Sequence, residues 1–128
     1  MPAQFGTFDD LLAMTAPDLR LVATGLREAI LAGPPNATEV VRLGDRAASY
    51  GQGPKKMSEA NVYILPHANW VNLGFYQGAV LDDPEDLLEG TGARLRHVKM
   101  RSLTDTGRAG VAGLIAAAKA ECAGALGL

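Results

Sequence analysis

Two stretches of this chain place chemically useful side chains at every second position. Trp70, Asn72, Gly74 and Tyr76 alternate with Val71, Leu73 and Phe75, and His97, Lys99 and Arg101 alternate with Val98 and Met100. Aromatic planes stack on flat groups, while lysine and arginine pair with carboxylate or phosphate. Brought side by side, the two sets make a binding face for a small anionic or aromatic ligand, with Tyr63 from the preceding run as a further ring. The amides of the Gly90-Thr91-Gly92 turn would add donors. The same ingredients have two other uses. Cationic stems can lie over aromatic rings in water with no ligand present, and aromatics with arginine are enriched where proteins meet, so a homodimer would bury this face. Gly74 also has two readings: room for a neighbouring ring or a bulge, or a point where a ligand nears the backbone.

Other chemistry is thinner. Asp82, Asp83, Glu85, Asp86 and Glu89 crowd one short segment and invite a hard cation, since such ions take several carboxylates. Helix capping accounts for most of them. Asp83 suits the cap, Pro84 the first helical position, Glu85 and Asp86 the positive helix end, and Gly90 the stop, so the segment reads as a short capped helix. The calcium-loop spacing is absent, and no metal site is assigned. There is no nucleophile elbow, two-histidine helix motif or phosphate loop, so neither catalysis nor a cofactor is expected. Lys55 and Lys56 follow a glycine-proline break and read as a solubilising pair with a lesser use at an anion site. The single cysteine, Cys122, excludes an internal disulfide and sits among alanines as a buried, inert thiol.

The elements that must position the binding face start from the hairpin between Asn61 and Tyr76. A loop of Pro66, His67, Ala68 and Asn69 predicts Leu65 opposite Trp70, Ile64 opposite Val71 and Val62 opposite Leu73. Val62, Ile64, Val71, Leu73 and Phe75 then face the core, while Tyr63, Leu65, Trp70, Asn72, Gly74 and Tyr76 face the other way. Thr38 to Leu43 and Ala47 to Tyr50 read as two more strands, and Arg94 to Arg101 as the basic one. Thr7 caps a short helix. After Pro17, the three-and-four spacing of Leu19, Val22, Ala23, Leu26 and Ile30 predicts an amphipathic helix ending at Gly33-Pro34-Pro35, with Asp18, Arg20, Arg27 and Glu28 on its solvated side. From Thr106 onward Val111, Leu114, Ile115, Ala118 and Cys122 predict a terminal helix on the core face of the sheet.

With 128 residues the chain is one domain by length, and 48% hydrophobic with 20% charged residues is a globular balance. A net charge of −2 gives no general attraction to nucleic acid or anionic membranes, so single-stranded nucleic acid is not expected as a partner despite the aromatic and basic pairing. No membrane span or signal peptide is read, and a cytoplasmic location is expected.

Val71-Asn-Leu-Gly-Phe75, Gly78-Ala79, Asp83-Pro84-Glu85, Leu87-Leu88-Glu89-Gly90-Thr91-Gly92 and Arg96-His97-Val98-Lys99, in that order, resemble the YdhG-like family of small bacterial domains of unknown function. Trp70 stands where relatives often carry histidine, and Ala93 where lysine is frequent. The resemblance implies an α+β, two-layer fold, an antiparallel sheet with helices mainly on one face. It also implies an alternative function, since some relatives are described as frataxin-like intracellular iron chaperones. It implies no catalytic residues. The expectation is therefore a non-catalytic binding module, with iron binding or a protein interface on the same face as the other readings.

Overall fold

The computed structural model describes residues 5–32, 37–53, 59–125 and 127. Six strands, β1 (Phe5–Gly6), β2 (Thr38–Arg42), β3 (Ala47–Gly51), β4 (Ala60–Pro66), β5 (Val71–Phe75) and β6 (Arg96–Met100), form one antiparallel sheet in sequential order. Helices α1 (Phe8–Ala13), α2 (Arg20–Leu31), α3 (Leu103–Thr106) and α4 (Ala109–Ala125) complete a two-layer α+β fold. Val22, Leu26 and Ile30 of α2 and Val111, Leu114 and Ile115 of α4 share one core with Val62, Ile64, Val71, Leu73, Phe75, Val98 and Met100 of the sheet. All of these sheet residues point to one side, as alternation requires. The other side is left without a helical layer, and it carries the chemistry.

The hairpin keeps its faces but not its expected register. Ile64 pairs with Leu73, Val62 with Phe75 and Leu65 with Asn72, a slide of two residues. A two-residue slide preserves the period, so every side chain stays on its predicted face. Pro66 is the cause. It was expected in the loop, yet it ends β4 opposite Val71, and the His67 amide bonds the Trp70 carbonyl at 2.8 Å, leaving only Ala68 and Asn69 as the turn. Proline is tolerated because its missing amide would point away from β5, toward β3, whose pairing has already ended at Ala48 with Ile64.

Two other expectations change. The segment from Asp82 to Gly90 is not a helix. Both Asp83 oxygens accept amides, from Leu87 at 2.9 Å and Leu88 at 2.8 Å, four and five residues on, which holds an open loop instead of a helical first turn. The loop seats Leu87 and Leu88 against the core and lays Glu89 along β6, exchanging backbone hydrogen bonds with His97 at 2.7 and 3.1 Å. The terminal helix α4 forms as expected but starts at Ala109 instead of Thr106, because Thr106 belongs to the short helix α3, which Ser102 caps and Gly107 ends. In α4, Cys122 is buried, its thiol donating to the Glu59 carbonyl, as the sequence suggested. Gly33-Pro34-Pro35, Lys55 and Lys56 lie outside the described residues.

Arg27, expected among solvated charges, belongs to a buried-edge network. Its guanidinium grips Glu39 with two bonds, 2.6 and 3.1 Å, and lies 5.1 Å from the Phe8 ring centre, while the fully buried Tyr50 donates its hydroxyl to Glu39 at 2.7 Å. Burial alone would raise the Glu39 carboxyl, but the hydrogen bonds from Arg27 and Tyr50 and the guanidinium charge outweigh it and hold the acid below its ordinary value. Burial and the bond to Glu39 push the Tyr50 phenol far up. A lowered folded-state value means the stabilisation is complete above the ordinary glutamate range, near about 4.3, and is lost as pH falls through the lowered value. Glu39→Gln is expected to destabilise the fold by about 1 kcal/mol at neutral pH, a charge-assisted bond discounted for partial exposure. In urea unfolding at neutral and strongly acid pH, that difference should narrow in acid. An equal difference at both would show that the charge on Glu39 contributes nothing.

Candidate functional site

The register of three strands assembles the open face. Tyr63 of β4 pairs with Gly74 of β5, and Gly74 with His97 of β6, while Leu65, Asn72 and Lys99 form the neighbouring row. Trp70, one alternation beyond Asn72, lies on the same face, next to His67, which ends β4's alternation after Tyr63 and Leu65. Tyr63, Trp70, Asn72, Gly74, Tyr76, His97 and Lys99 are thus brought to one surface. Arg101 follows the last residue of β6 and is exposed, its backbone amide donating to Asp105 at 2.8 Å, and no bond joins its side chain to the other residues of the face.

Around Trp70 the contacts are dense. Its indole N–H donates to Asn72 Oδ1 at 2.8 Å, and Asn72 Nδ2 lies 3.1 Å from His67 Nε2. Indole can only donate, so Asn72 must present its oxygen there and its NH2 to His67. His67 Nε2 is therefore the acceptor, which fixes the Nδ1–H tautomer. The imidazole also stacks on the indole, centres 4.9 Å apart and planes inclined by 27°. Lys99 Nζ sits 5.1 Å from the indole centre, on the electron-rich face that attracts cations. Its counter-ion is Glu89 at 3.7 Å, a loose and partly exposed pair of small worth.

The centre of the face is closed by the protein itself. A Cβ built on Gly74 would fall 1.9 Å from Tyr63 Cζ, so the Tyr63 ring lies flat over the glycine. Tyr76 packs against it, ring centres 5.0 Å apart. Burial pushes the Tyr76 phenol up to about 12 and the Tyr63 phenol in the same direction, so both are neutral hydrogen-bonding groups near neutral pH. Gly74 thus makes room for a ring, the structural one of its two readings. A ligand on this face meets Tyr63 and Trp70 rather than the Gly74 backbone.

For a metal, the carboxylate segment offers little. Asp83 spends both oxygens on amides, and among the described residues no group of three His, Cys, Asp or Glu side chains is placed to hold an ion. His67 and His97 share a face but sit in different rows of it. No helix among the described residues is long and apolar enough to cross a membrane.

Sequence reasoning missed His67 and Glu89. His67 was legible in principle, because the 63, 65, 67 alternation continues through it once the turn is shortened to two residues. Glu89 had no such signal, since its place on β6 depends on the path of an irregular loop. Compared with models of protein families, with curated proteins and with solved structures, the chain finds no match.

Proposed function

We propose that this chain is a non-catalytic binding domain that takes a flat aromatic anion on the open face of its sheet, beside Trp70. The observation that carries the reading is Lys99: its ammonium stands over the indole plane, and among the described residues its counter-ion is one loosely held carboxylate, Glu89. A ligand ring would lie against the exposed part of the Trp70 and Tyr63 surface while its carboxylate replaces Glu89 on Lys99. His97, in the adjacent row of the same strand, extends the polar rim. Trp70 donates to Asn72 and Asn72 in turn to His67, so the aromatic platform is held in place before a ligand arrives, which limits the entropy lost on binding. The YdhG-like resemblance fits this reading in fold and adds no chemistry to it.

Trp70 is the sole tryptophan, so its fluorescence reports on the site directly. Benzoate is expected to change that fluorescence saturably, with benzamide, the uncharged counterpart, at least about fivefold weaker because it forfeits the charge-assisted bond. No saturable change, or equal response to both, removes the reading. Light scattering on the same sample separates the interface alternative, in which a dimer dissociates on Trp70→Ala.

A further inference from the structure

A second recess lies at the end of the sheet, a cleft of about 450 Å³ between the end of α1, the β2–β3 turn and the β4–β5 turn, a size suited to small molecules. Met14, Ala16, Leu65 and Pro66 give it apolar walls, and Asp45, Arg46 and His67 bring it polar groups. Arg46 holds φ at 54°, the left-handed region, as the last residue of the four-residue turn joining Arg42 to Ala47. Glycine or asparagine takes that position at lower cost, so a turn requirement does not explain the arginine. Among the described residues no hydrogen bond or ion pair engages its guanidinium, whereas Asp45 beside it has a partner of its own. The end of α1 does not present bare carbonyls to an anion either, because Arg20 Nε donates to those of Leu12 and Thr15 at 2.9 and 3.1 Å. On the His67 ring, Nε2 is occupied by Asn72, which leaves Nδ1–H as the donor available to the cleft.

We infer that this cleft binds small carboxylates with a short aliphatic chain, the carboxylate held by Arg46 and the His67 Nδ1–H, the chain against Met14, Leu65 and Pro66. The cleft shares His67 with the aromatic platform, whose indole that ring stacks on, but its cation, Arg46, is its own. Pentanoate titrated into the full chain, followed by amide NMR shifts, is expected to give saturable changes confined to residues 14–16, 45–46 and 65–68. Arg46→Gly should weaken binding at least about tenfold, the loss of a two-pronged charged contact, while its thermal midpoint stays level or rises because glycine takes the turn conformation freely. Lys99→Gln should leave the pentanoate affinity unchanged. Absence of saturable shifts up to about 20 mM, beyond the range of weak specific binding, overturns the inference. So does equal affinity in Arg46→Gly, or a loss of affinity in Lys99→Gln, which would return the ligand to the platform.

Discussion

Gly74→Ala should destabilise the fold by about 2 kcal/mol, and the same substitution in a Tyr63→Ala background should cost nothing or stabilise slightly. The added methyl carbon would stand 1.9 Å from Tyr63 Cζ and 2.2 Å from both Cε atoms, so the ring must leave the space it fills. Leaving it exposes the apolar faces of Tyr63 and Tyr76, now packed 5.0 Å apart. Without the ring the three atoms nearest the methyl group are gone, and alanine loses less chain entropy in a strand than glycine, worth about 0.5 to 1 kcal/mol. The coupling energy between the two positions is therefore about 2 to 3 kcal/mol, at the upper end for residues in contact. Urea midpoints of the four proteins measure it. Additive effects would mean the ring does not rest on the glycine, and the closed centre of the face would go with it.

The second large effect is on binding. Lys99→Gln should weaken benzoate by about tenfold or more, because a charge-assisted bond contributes on the order of 1.5 to 3 kcal/mol. Glutamine keeps most of the side chain's length and its packing over Trp70, so stability should hardly move: an exposed cation over a ring contributes only about 0.5 to 1 kcal/mol. An unchanged affinity would place the anion elsewhere.

How much of this was written in the sequence depends on how local each feature is. The faces of β4, β5 and β6 were readable because alternation with period two survives even a wrong register, and this put Tyr63, Trp70, Asn72, Tyr76, His97 and Lys99 together correctly. The register was not readable, since Pro66 marks a turn and a strand end equally well. The capping pattern at Asp83 was real, but its carboxylate reaches Leu87 and Leu88 across an open loop, and residue types cannot distinguish that from a helical cap. The Arg27, Glu39 and Tyr50 network joins residues on separate elements, and nothing in the spacing of α2 separates Arg27 from its solvated neighbours. Short-range rules gave the Thr7 cap and the faces of the strands, while contacts that need the chain's path through space had to be seen.

The central claim is that an incoming carboxylate takes the place of Glu89 on Lys99. Its most direct test is the benzoate affinity of Glu89→Gln measured beside the unaltered chain through Trp70 fluorescence. Removing an exposed competing anion should tighten binding about two- to fivefold, the worth of such a pair, with no new contact to the ligand. An affinity unchanged or weakened by Glu89→Gln would contradict the exchange, and with it the placement of the ligand beside Trp70.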